Sequence, residues 1–542
     1  MKGPREFVLM NIRRAIHPKQ KLNIETWMIE CDNLGLAKSG LCLKRLFIVE
    51  QKLFQKNSQI DVVRWGPRID GFFGDARKCG ERKVGLLPSG QHRLAEFFKI
   101  SIHGKDSSID FLLSDSERKR VSQSAVDVLK LRINMTDAPA QQAFTMTSDL
   151  AQRIAHRINI LAELTDTPGE ITRFYGSPAL REAMNLVETW MQEAGLKTGR
   201  DAIGNLVGRL GESGPFPLVI GSHLDSVRNA GAYDGAVGVI AAIEVADALR
   251  GGDLTFPLEV VAFADEEGVR FHTTYLGSGA WVGEFPTLDS LDDDGISFTQ
   301  AVLEAGGNPL SLNEAKRDAI AGYLEIHIEQ GPILETLGLP LGVVTAIASQ
   351  QRAVVEFSGR AGHAGTVPMD LRQDALAGAV QWMGLVEATA KSTPGLVATI
   401  GQLRVEPGAP NVIPGRAICS LDLRHQSDAV RSNAWQALHD AAIKIASLRG
   451  LVCQWNETQP VPAVQCDPCW IERLRATAGA NAPLLVSGAG HDAALLTRLG
   501  PVAMLFVRCR GGISHHPDEW ADPIDMALAV QSLTAAIRGW AS

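Results

Sequence analysis

The sequence lacks several features that would place it in a broad class of protein. It contains no run of about 18 uninterrupted apolar residues, so a membrane-spanning helix is not expected. Its N-terminal stretch, MKGPREFVLMNIRRAIH, has no continuous apolar segment, so a secretory signal is not expected either. The net charge is only -8 and 21% of the residues are charged, which argues against a nucleic-acid-binding protein as a whole.

Cysteine is also sparse and scattered. Of the eight cysteines, only Cys466 and Cys469 lie close together, and no second pair completes a zinc knuckle. Reduced thiols in the cytoplasm are therefore the expectation.

The length of 542 residues and a hydrophobic content of 45% predict two to four domains with substantial cores. The composition changes sharply near residue 135. Residues 1–134 contain 13 lysines and a charge balance of +10, whereas residues 135–542 contain 4 lysines and a balance of -18.

Residues 1–134 show no sustained helix or strand periodicity, and three interpretations remain open. The segment is a small basic accessory module, a disordered arm, or sequence upstream of a true start at Met135 or Met146. We assign it no function.

The remainder alternates between predicted helices and buried strands. Residues 178–194 place apolar side chains on one helical face, with Gly195 as the residue that ends the helix. PLVIGSH and LEVVAFADEE are typical of buried strands, separated by an apolar helix over residues 235–249. This alternation predicts an α/β fold with a largely parallel sheet covered on both faces, where functional groups gather at the strand ends.

Five polar motifs lie at those strand ends or in glycine-bearing turns. They are GSHLDSV with His223 and Asp225, YDGAVGV with Asp234, ADEEGVRF with Glu266 and Glu267, EIHIEQGP with His327 and Gln330, and GGISHHPDE with His515 and His516. Each motif alone is commonly a core histidine, a solvated loop or a turn. Their coincidence indicates a site for two divalent ions, which need imidazoles and a carboxylate able to bridge.

The expected arrangement has Asp234 between the two ions. His223 and His327 would bind one ion, and Glu267 and His515 the other. Asp225 would orient the imidazole of His223 from the second shell of the site. Glu266 would act as the general base on the attacking water.

The motifs resemble those of a known family. GSHLDSV, AYDGAVGV, AFADEEGVRF, EIHIEQGPIL, GHAGTVPM, NVIPG, SGAGHDA and GGISHHP are similar to the amidohydrolase branch of the dinuclear metallopeptidase-like family. That branch contains N-carbamoyl-L-amino-acid hydrolases, β-ureidopropionases and allantoate amidohydrolases. LEVVAFADEEGVRF, YLEIHIEQGPIL and MLFVRCRGGISHHPDE look most like the allantoate amidohydrolases, also called allantoate deiminases. The resemblance runs from about residue 150 to the C-terminus.

The resemblance implies the same five ligands and the same base. One departure is that His516 follows the last ligand, where the family often has a small polar residue; we prefer His515, which follows Ser514, and keep His516 as the alternative. The implied fold is a metallopeptidase-like α/β catalytic domain with a mixed central sheet, interrupted by a smaller α+β lid and dimerisation domain. The expected boundaries are 146–347 and 461–542 for the catalytic domain and 348–460 for the lid.

The resemblance also implies the substrate-binding groups. His363 and Asn411 of the lid would reach the partner's site in a homodimer, with His363 stabilising the oxyanion. Arg424 would bind the substrate carboxylate through its guanidinium fork. Gln330, Gly488 and His491 would line the pocket. The plainer alternatives are a strand-end salt bridge for Arg424 and a turn histidine for His363.

The function implied is hydrolysis of the terminal ureido group of allantoate to ureidoglycine, ammonia and carbon dioxide, with two manganese or zinc ions per subunit. An N-carbamoyl-L-amino-acid hydrolase or β-ureidopropionase with the same site is the alternative. A dipeptidase or aminoacylase and a non-catalytic metal-binding protein are less favoured, since the HIEQGP and GHAGTVPM motifs and Glu266 are all present. No nucleic-acid or membrane partner is expected.

Overall fold

The computed structural model describes residues 145–541 except 212, 213 and 253, and before residue 145 only the backbone of short strands and the start of one helix. The interpretations of residues 1–134 fall outside the described residues. The chain divides into the units Met1–Phe144 and Thr145–Ser542. The first unit contains a three-stranded and a four-stranded antiparallel sheet. Their strands are β1 (Asn11–Arg13), β2 (Met28–Glu30), β3 (Leu46–Ile48), β4 (Gln59–Ile60), β5 (Phe98–His103), β6 (Ser108–Leu113) and β7 (Lys130–Arg132).

Helices and strands alternate along the second unit. The helices are α1 (Ala138–Glu163), α2 (Pro178–Glu193), α3 (Ala236–Leu249), α4 (Leu276–Val282), α5 (Phe298–Glu304), α6 (Ile333–Leu337), α7 (Ala375–Ser392), α8 (Asp428–Leu448), α9 (Pro468–Thr477), α10 (Ala493–Leu496) and α11 (Pro523–Ala541). Short 3-10 turns occur at Leu312–Ala315, Met369–Leu371 and Arg510–Gly512.

Helix α2 shows how local sequence sets these bounds. Ser177 caps its N-terminus by accepting a hydrogen bond from the backbone N–H of Leu180, and Pro178 occupies the first turn. Gly195 follows the helix with φ of 85°, as expected for the residue that ends it.

A nine-stranded mixed sheet forms the larger domain. Its order is β21-β13-β23-β12-β10-β11-β9-β8, and β22 also pairs with β13. Strands β11, β10, β12 and β23 run parallel to one another, so their C-terminal ends meet at one edge. The strands are β8 (Lys197–Arg200), β9 (Leu206–Leu210), β10 (Leu218–His223), β11 (Leu258–Phe263), β12 (Gly322–Ile328), β13 (Leu341–Ile347), β21 (Val464–Gln465), β22 (Leu484–Ser487) and β23 (Val502–Val507).

The sheet is covered on both faces, and every residue of its central strands β10, β11, β12 and β23 is buried. In β10, Leu218 and Ile220 belong to the core that contains α3, whereas Val219 belongs to the opposite core with Trp281. Strand β10 therefore begins with an apolar run, Leu218–Ile220, whose side chains are buried on both faces of the sheet. The predicted α/β architecture with a mixed central sheet is confirmed.

The smaller domain is a two-layer sandwich. Strands β14 (Ser349–Ser358) and β19 (Arg416–His425) pair antiparallel over ten residues, and buried residues alternate with more exposed ones along both. Helices α7 and α8 pack on the buried face around Trp382 and Phe357. The other strands are β15 (Gly362–His363), β16 (Val397–Thr399), β17 (Leu403–Glu406), β18 (Val412–Ile413) and β20 (Val452–Glu457).

Among the described residues, none of the helices combines the length and apolar character that crossing a bilayer requires.

Candidate metal centre

The candidate ligands converge at one edge of the central sheet. His223 is the last residue of β10, His327 lies near the end of the neighbouring strand β12, and Glu267 follows β11. Asp234 lies just before α3, and the intervening Gly235 has φ of 63°. A side chain at Gly235 would clash with the His223 imidazole, so glycine allows this close approach.

Asp234 is at the centre of the cluster and divides it into two groups. Its Oδ1 lies 3.1 Å from His327 Nε2 and 3.7 Å from His223 Nε2. Its Oδ2 lies 3.1 Å from His515 Nε2, and that nitrogen lies 3.5 Å from a Glu267 oxygen. The ligand atoms of each group fall within 4.8 Å of one another, so one carboxylate faces two sets of possible metal ligands.

The chemistry of the imidazoles fits bound cations. His327 Nδ1 lies 3.0 Å from the Ile328 carbonyl, so it carries the proton and leaves Nε2 with a lone pair. That Nε2 is buried without a hydrogen-bond partner among the described residues and faces the Asp234 carboxylate. A lone pair directed at a carboxylate oxygen is unfavourable unless a proton or a metal ion lies between them.

Asp225 organises the strand ends around the site. One of its oxygens accepts a hydrogen bond from the Glu266 backbone N–H at 2.9 Å, and the other from the Glu267 N–H at 3.0 Å. The first oxygen also lies 3.3 Å from His223 Nδ1. Asp225 therefore fixes the His223 ring and the position of both glutamates, which extends the role expected for it.

The two glutamates are buried among like charges. Burial raises the pKa of Glu266 above its ordinary value, and the neighbouring carboxylate of Glu267 adds to this effect. Burial, followed by the charge of Asp234, raises the pKa of Glu267 to about 7. These carboxylates are held in an environment in which a cation or a proton is strongly favoured.

The structure brings His515, and not His516, to the cluster. His515 has φ of 54°, and the hydrogen bond to Asp234 raises its pKa to about 9. His516 is exposed, and its Nδ1 lies 3.1 Å from the backbone N–H of Asp518 instead. The geometry therefore favours His515 as the ligand.

Gln330 lies beside the cluster. Its amide nitrogen donates to Asp234 Oδ2 at 2.9 Å and to Ser514 Oγ at 3.1 Å. Its amide oxygen is buried and has no hydrogen-bond partner in the described part of the chain. Gln330 can therefore position Asp234 and still accept a hydrogen bond from a ligand.

Arg424 connects the smaller domain to the larger domain. It extends from β19 and donates to the Gly488 carbonyl at 2.6 Å. Asp422, two residues earlier on β19, accepts from it at 2.8 and 3.0 Å. The pKa of Asp422 is about 2, because hydrogen bonds from Arg424 and Arg352 outweigh the opposing effect of burial. The guanidinium is therefore held in a fixed orientation next to the Gly488 loop.

His363 and Asn411 lie together on the smaller domain. The strand containing His363 pairs with β18, and the Asn411 carbonyl accepts from the Ala364 N–H at 2.9 Å. Both side chains are exposed, and His363 Nδ1 accepts only from the Gly365 N–H among the described hydrogen bonds. Within one chain, the described contacts do not bring either side chain to Asp234.

His491 lies behind the ligands. It is 2% exposed, its ring packs 4.5 Å from the His327 ring, and its Nε2 lies 2.8 Å from Ser487 Oγ. Burial lowers the pKa of His491 well below its usual range, so it is neutral. Glu325, two positions before His327 on β12, accepts from Ser222 Oγ at 2.8 Å, and its other oxygen has no hydrogen-bond partner among the described residues. Sequence reasoning missed Glu325, although its spacing of two from His327 places both on one face of the strand.

Glu519 is a second residue that sequence reasoning missed. One of its oxygens accepts from the backbone N–H of Tyr233 at 2.8 Å and of Asp234 at 3.0 Å. The other accepts from Ser514 Oγ at 2.9 Å. Glu519 therefore holds the loop of Asp234 against the loop of His515. The only signal for it was its presence in the GGISHHPDE motif.

Comparisons with known proteins agree with this geometry. Residues 219–539 match the family described as Peptidase family M20/M25/M40. The allantoate deiminase of Arabidopsis thaliana is 40% identical over 415 residues, covering 69% of this chain and 79% of that protein. The N-carbamoyl-L-amino acid amidohydrolase of Geobacillus stearothermophilus is 40% identical over 394 residues, covering 70% and 96%.

The chain belongs to Peptidase family M20/M25/M40. A solved amidase of the hydantoinase/carbamoylase family from Burkholderia multivorans has the same fold, with a TM-score of 0.68 and 33% identity over 72% of this chain and 98% of that one. The predicted family resemblance is confirmed, and so is the prediction of an amidohydrolase that acts on non-peptide C–N bonds.

Proposed function

We propose that this chain hydrolyses the terminal ureido group of allantoate, giving ureidoglycine, ammonia and carbon dioxide. The observation that carries the proposal is the pair of ligand groups on the two oxygens of Asp234, with the buried Glu266 beside them. The similarity to an allantoate deiminase supports the choice of substrate.

The donor set indicates two divalent ions. His223 and His327 with Asp234 would hold one ion, and Glu267 and His515 with Asp234 the other. Nitrogen and carboxylate donors without thiolate suit manganese or zinc. When bound, the ions would polarise the ureido carbonyl and make the attacking water more acidic.

Glu266 is the proposed general base and acid. A raised pKa allows its carboxylate to take a proton from the attacking water and then return it to the leaving nitrogen. The burial that raises the pKa also keeps bulk water from competing for that proton.

Arg424 and Gln330 are the proposed substrate anchors. The guanidinium, oriented by Asp422, would bind the substrate carboxylate, and the unpaired amide oxygen of Gln330 would accept from a ureido N–H. In the structure Arg424 also donates to the Gly488 carbonyl. His491, buried behind His327, would support the pocket wall rather than contact the substrate.

We also propose a homodimer in which His363 and Asn411 complete the partner's site. Their exposure and their shared position on the ribbon of β15 and β18 support this role. His363 would then stabilise the developing oxyanion. The free thiols of the described cysteines support a reducing, cytoplasmic location.

The second candidate is an N-carbamoyl-L-amino-acid hydrolase with the same site, since one relative of equal identity carries that name. The test is ammonia release by the full chain, loaded with manganese or zinc, from allantoate, N-carbamoyl-L-amino acids and N-carbamoyl-β-alanine. Glu266→Ala serves as the blank. Turnover of allantoate above the others, absent in the blank, is the expected result. Preferred turnover of carbamoyl amino acids would move the chain to the second candidate, and silence on all of them would refute both.

A further inference from the structure

Tyr275 is a polar group beside the site to which the proposed mechanism gives no role. It precedes α4 and has φ of 62°, a conformation that costs energy for a residue other than glycine. Of the five such non-glycine residues in the described chain, Gln330 and His515 lie at the metal centre itself. Strained backbone of this kind concentrates at functional sites, so it indicates a role for the Tyr275 side chain.

Backbone contacts fix Tyr275 next to the base. Its N–H donates to the Glu266 carbonyl at 2.8 Å, which joins the two backbones at this point. The Gly279 N–H in turn donates to the Tyr275 carbonyl, which ties the residue to the first turn of α4. The phenol ring therefore leaves the backbone at a defined place beside Glu266.

The hydroxyl lies against the loop that contacts Arg424. A Cβ at Gly490 would clash with the Tyr275 hydroxyl, so that oxygen rests directly on the glycine backbone. Two residues earlier, the Gly488 carbonyl accepts from the Arg424 guanidinium. The hydroxyl is thus close to the proposed carboxylate anchor, while its backbone is bonded to the proposed base.

The hydroxyl is available to a ligand. The side chain is partly exposed, and its oxygen makes no hydrogen bond among the described residues. Burial and the charges of Glu266 and Asp492 raise the pKa of Tyr275 above its ordinary value. The phenol therefore stays neutral and can both donate and accept a hydrogen bond.

We propose that the Tyr275 hydroxyl binds a polar group attached to the same substrate carbon as the carboxylate, and so favours ureido carboxylates that carry such a group over carbamoyl amino acids with apolar side chains. This inference rests on the proposed function, because it takes Arg424 as the carboxylate anchor. In allantoate the group is the second ureido group, which lies next to the carboxylate and away from the reacting carbon. An apolar group there would leave the phenol unpaired, which disfavours such substrates.

The test compares the unaltered full chain with Tyr275→Phe on three substrates: allantoate, N-carbamoyl-L-asparagine and N-carbamoyl-L-leucine. Losing one neutral hydrogen bond should raise the KM for allantoate about tenfold and leave kcat nearly unchanged. The KM for the leucine derivative should stay the same or fall. Tyr175→Phe is the matched control, because its buried hydroxyl donates to the Ile203 carbonyl away from the site and should lower stability without altering substrate preference.

Each outcome either supports the role of the Tyr275 hydroxyl or overturns it. An unchanged KM for allantoate in Tyr275→Phe, or equal changes for all three substrates, would overturn it and leave the proposed function standing. If the unaltered chain failed on allantoate, the proposed function would fall instead. In that case the unaltered chain should prefer the asparagine derivative to the leucine derivative, and Tyr275→Phe should lose this preference. The same preference in both proteins would overturn the role of the Tyr275 hydroxyl.

Discussion

The two ligand groups that share Asp234 differ most in their access to solvent. The side chains of His223 and His327 are 3% and 2% exposed, whereas that of His515 is 49% exposed. The first two rings lie on adjacent strands, and their Nδ1 atoms contact Asp225 and the Ile328 carbonyl. His515 lies on a loop, with Asp234 and Glu267 as its ion-pair partners.

Because of this difference, two ions that share one carboxylate should bind with unequal affinity. Rigid strands and fixed ring orientations preorganise the buried group, which lowers the cost of binding. In the exposed group, His515 lies on a loop and water reaches its imidazole, which favours exchange of the ion. We therefore expect the ion at His515 to exchange first, and the following changes test that contrast.

The largest expected effect belongs to the proposed base, Glu266, which is a member of neither group. Glu266→Gln should lower kcat about a thousandfold, the range typical of losing general acid–base catalysis, while both ions stay bound. Steady-state kinetics and metal analysis of the same sample check this. Loss of an ion from Glu266→Gln would show that Glu266 is a ligand instead.

His515→Ala should release the ion of the exposed group first and leave the buried group loaded. We expect the affinity of the exposed group for its ion to fall by about a hundredfold or more, beyond what changes outside the ligand set typically cause. Stepwise metal titration by calorimetry measures it. His516→Ala is the neighbouring control and should keep both binding steps; the reverse result would assign the ligand to His516.

Glu519→Gln should lower the metal affinity of both ligand groups, by about tenfold each. The reason is that the Glu519 carboxylate holds the backbone of Asp234, which both groups share. The same titration applies. A selective loss at either group alone would mean that Glu519 does not act through Asp234.

The pH dependence should arise at the exposed group and accumulate over several pH units. Both pKa values are raised: His515 binds a proton below about pH 9, and Glu267 below about pH 7. Binding an ion displaces these protons, so affinity falls as the pH is lowered, about tenfold per unit between pH 9 and 7 and more steeply below 7. Calorimetry in buffers of different ionisation enthalpy counts the released protons, and an affinity independent of pH across this window would contradict the assignment.

The strand-end motifs that form the cluster are visible in the sequence. His223, His327 and Glu267 could be predicted because parallel strands place their C-terminal ends at one edge, which follows from the apolar runs of β10, β11 and β12. In the smaller domain, buried and more exposed residues alternate along β14 and β19, as a sheet covered on one face requires.

Glu519 and Tyr275 could not be predicted, because their roles depend on contacts distant in sequence. Glu519 is 285 residues from Asp234, and only the folded chain shows which backbone N–H groups it accepts from. Tyr275 acquires its position from a left-handed backbone and from the bare surface of Gly490. Neither feature has a local pattern that the sequence reveals.

In the proposed centre, the single carboxylate of Asp234 joins two groups of metal ligands. The most direct measurement is electron paramagnetic resonance of the metal-free chain during titration with Mn²⁺. We expect two ions to bind per chain, and the second addition to give the spectrum of a magnetically coupled pair. Saturation at one ion, or two ions with the spectra of isolated centres, would contradict it.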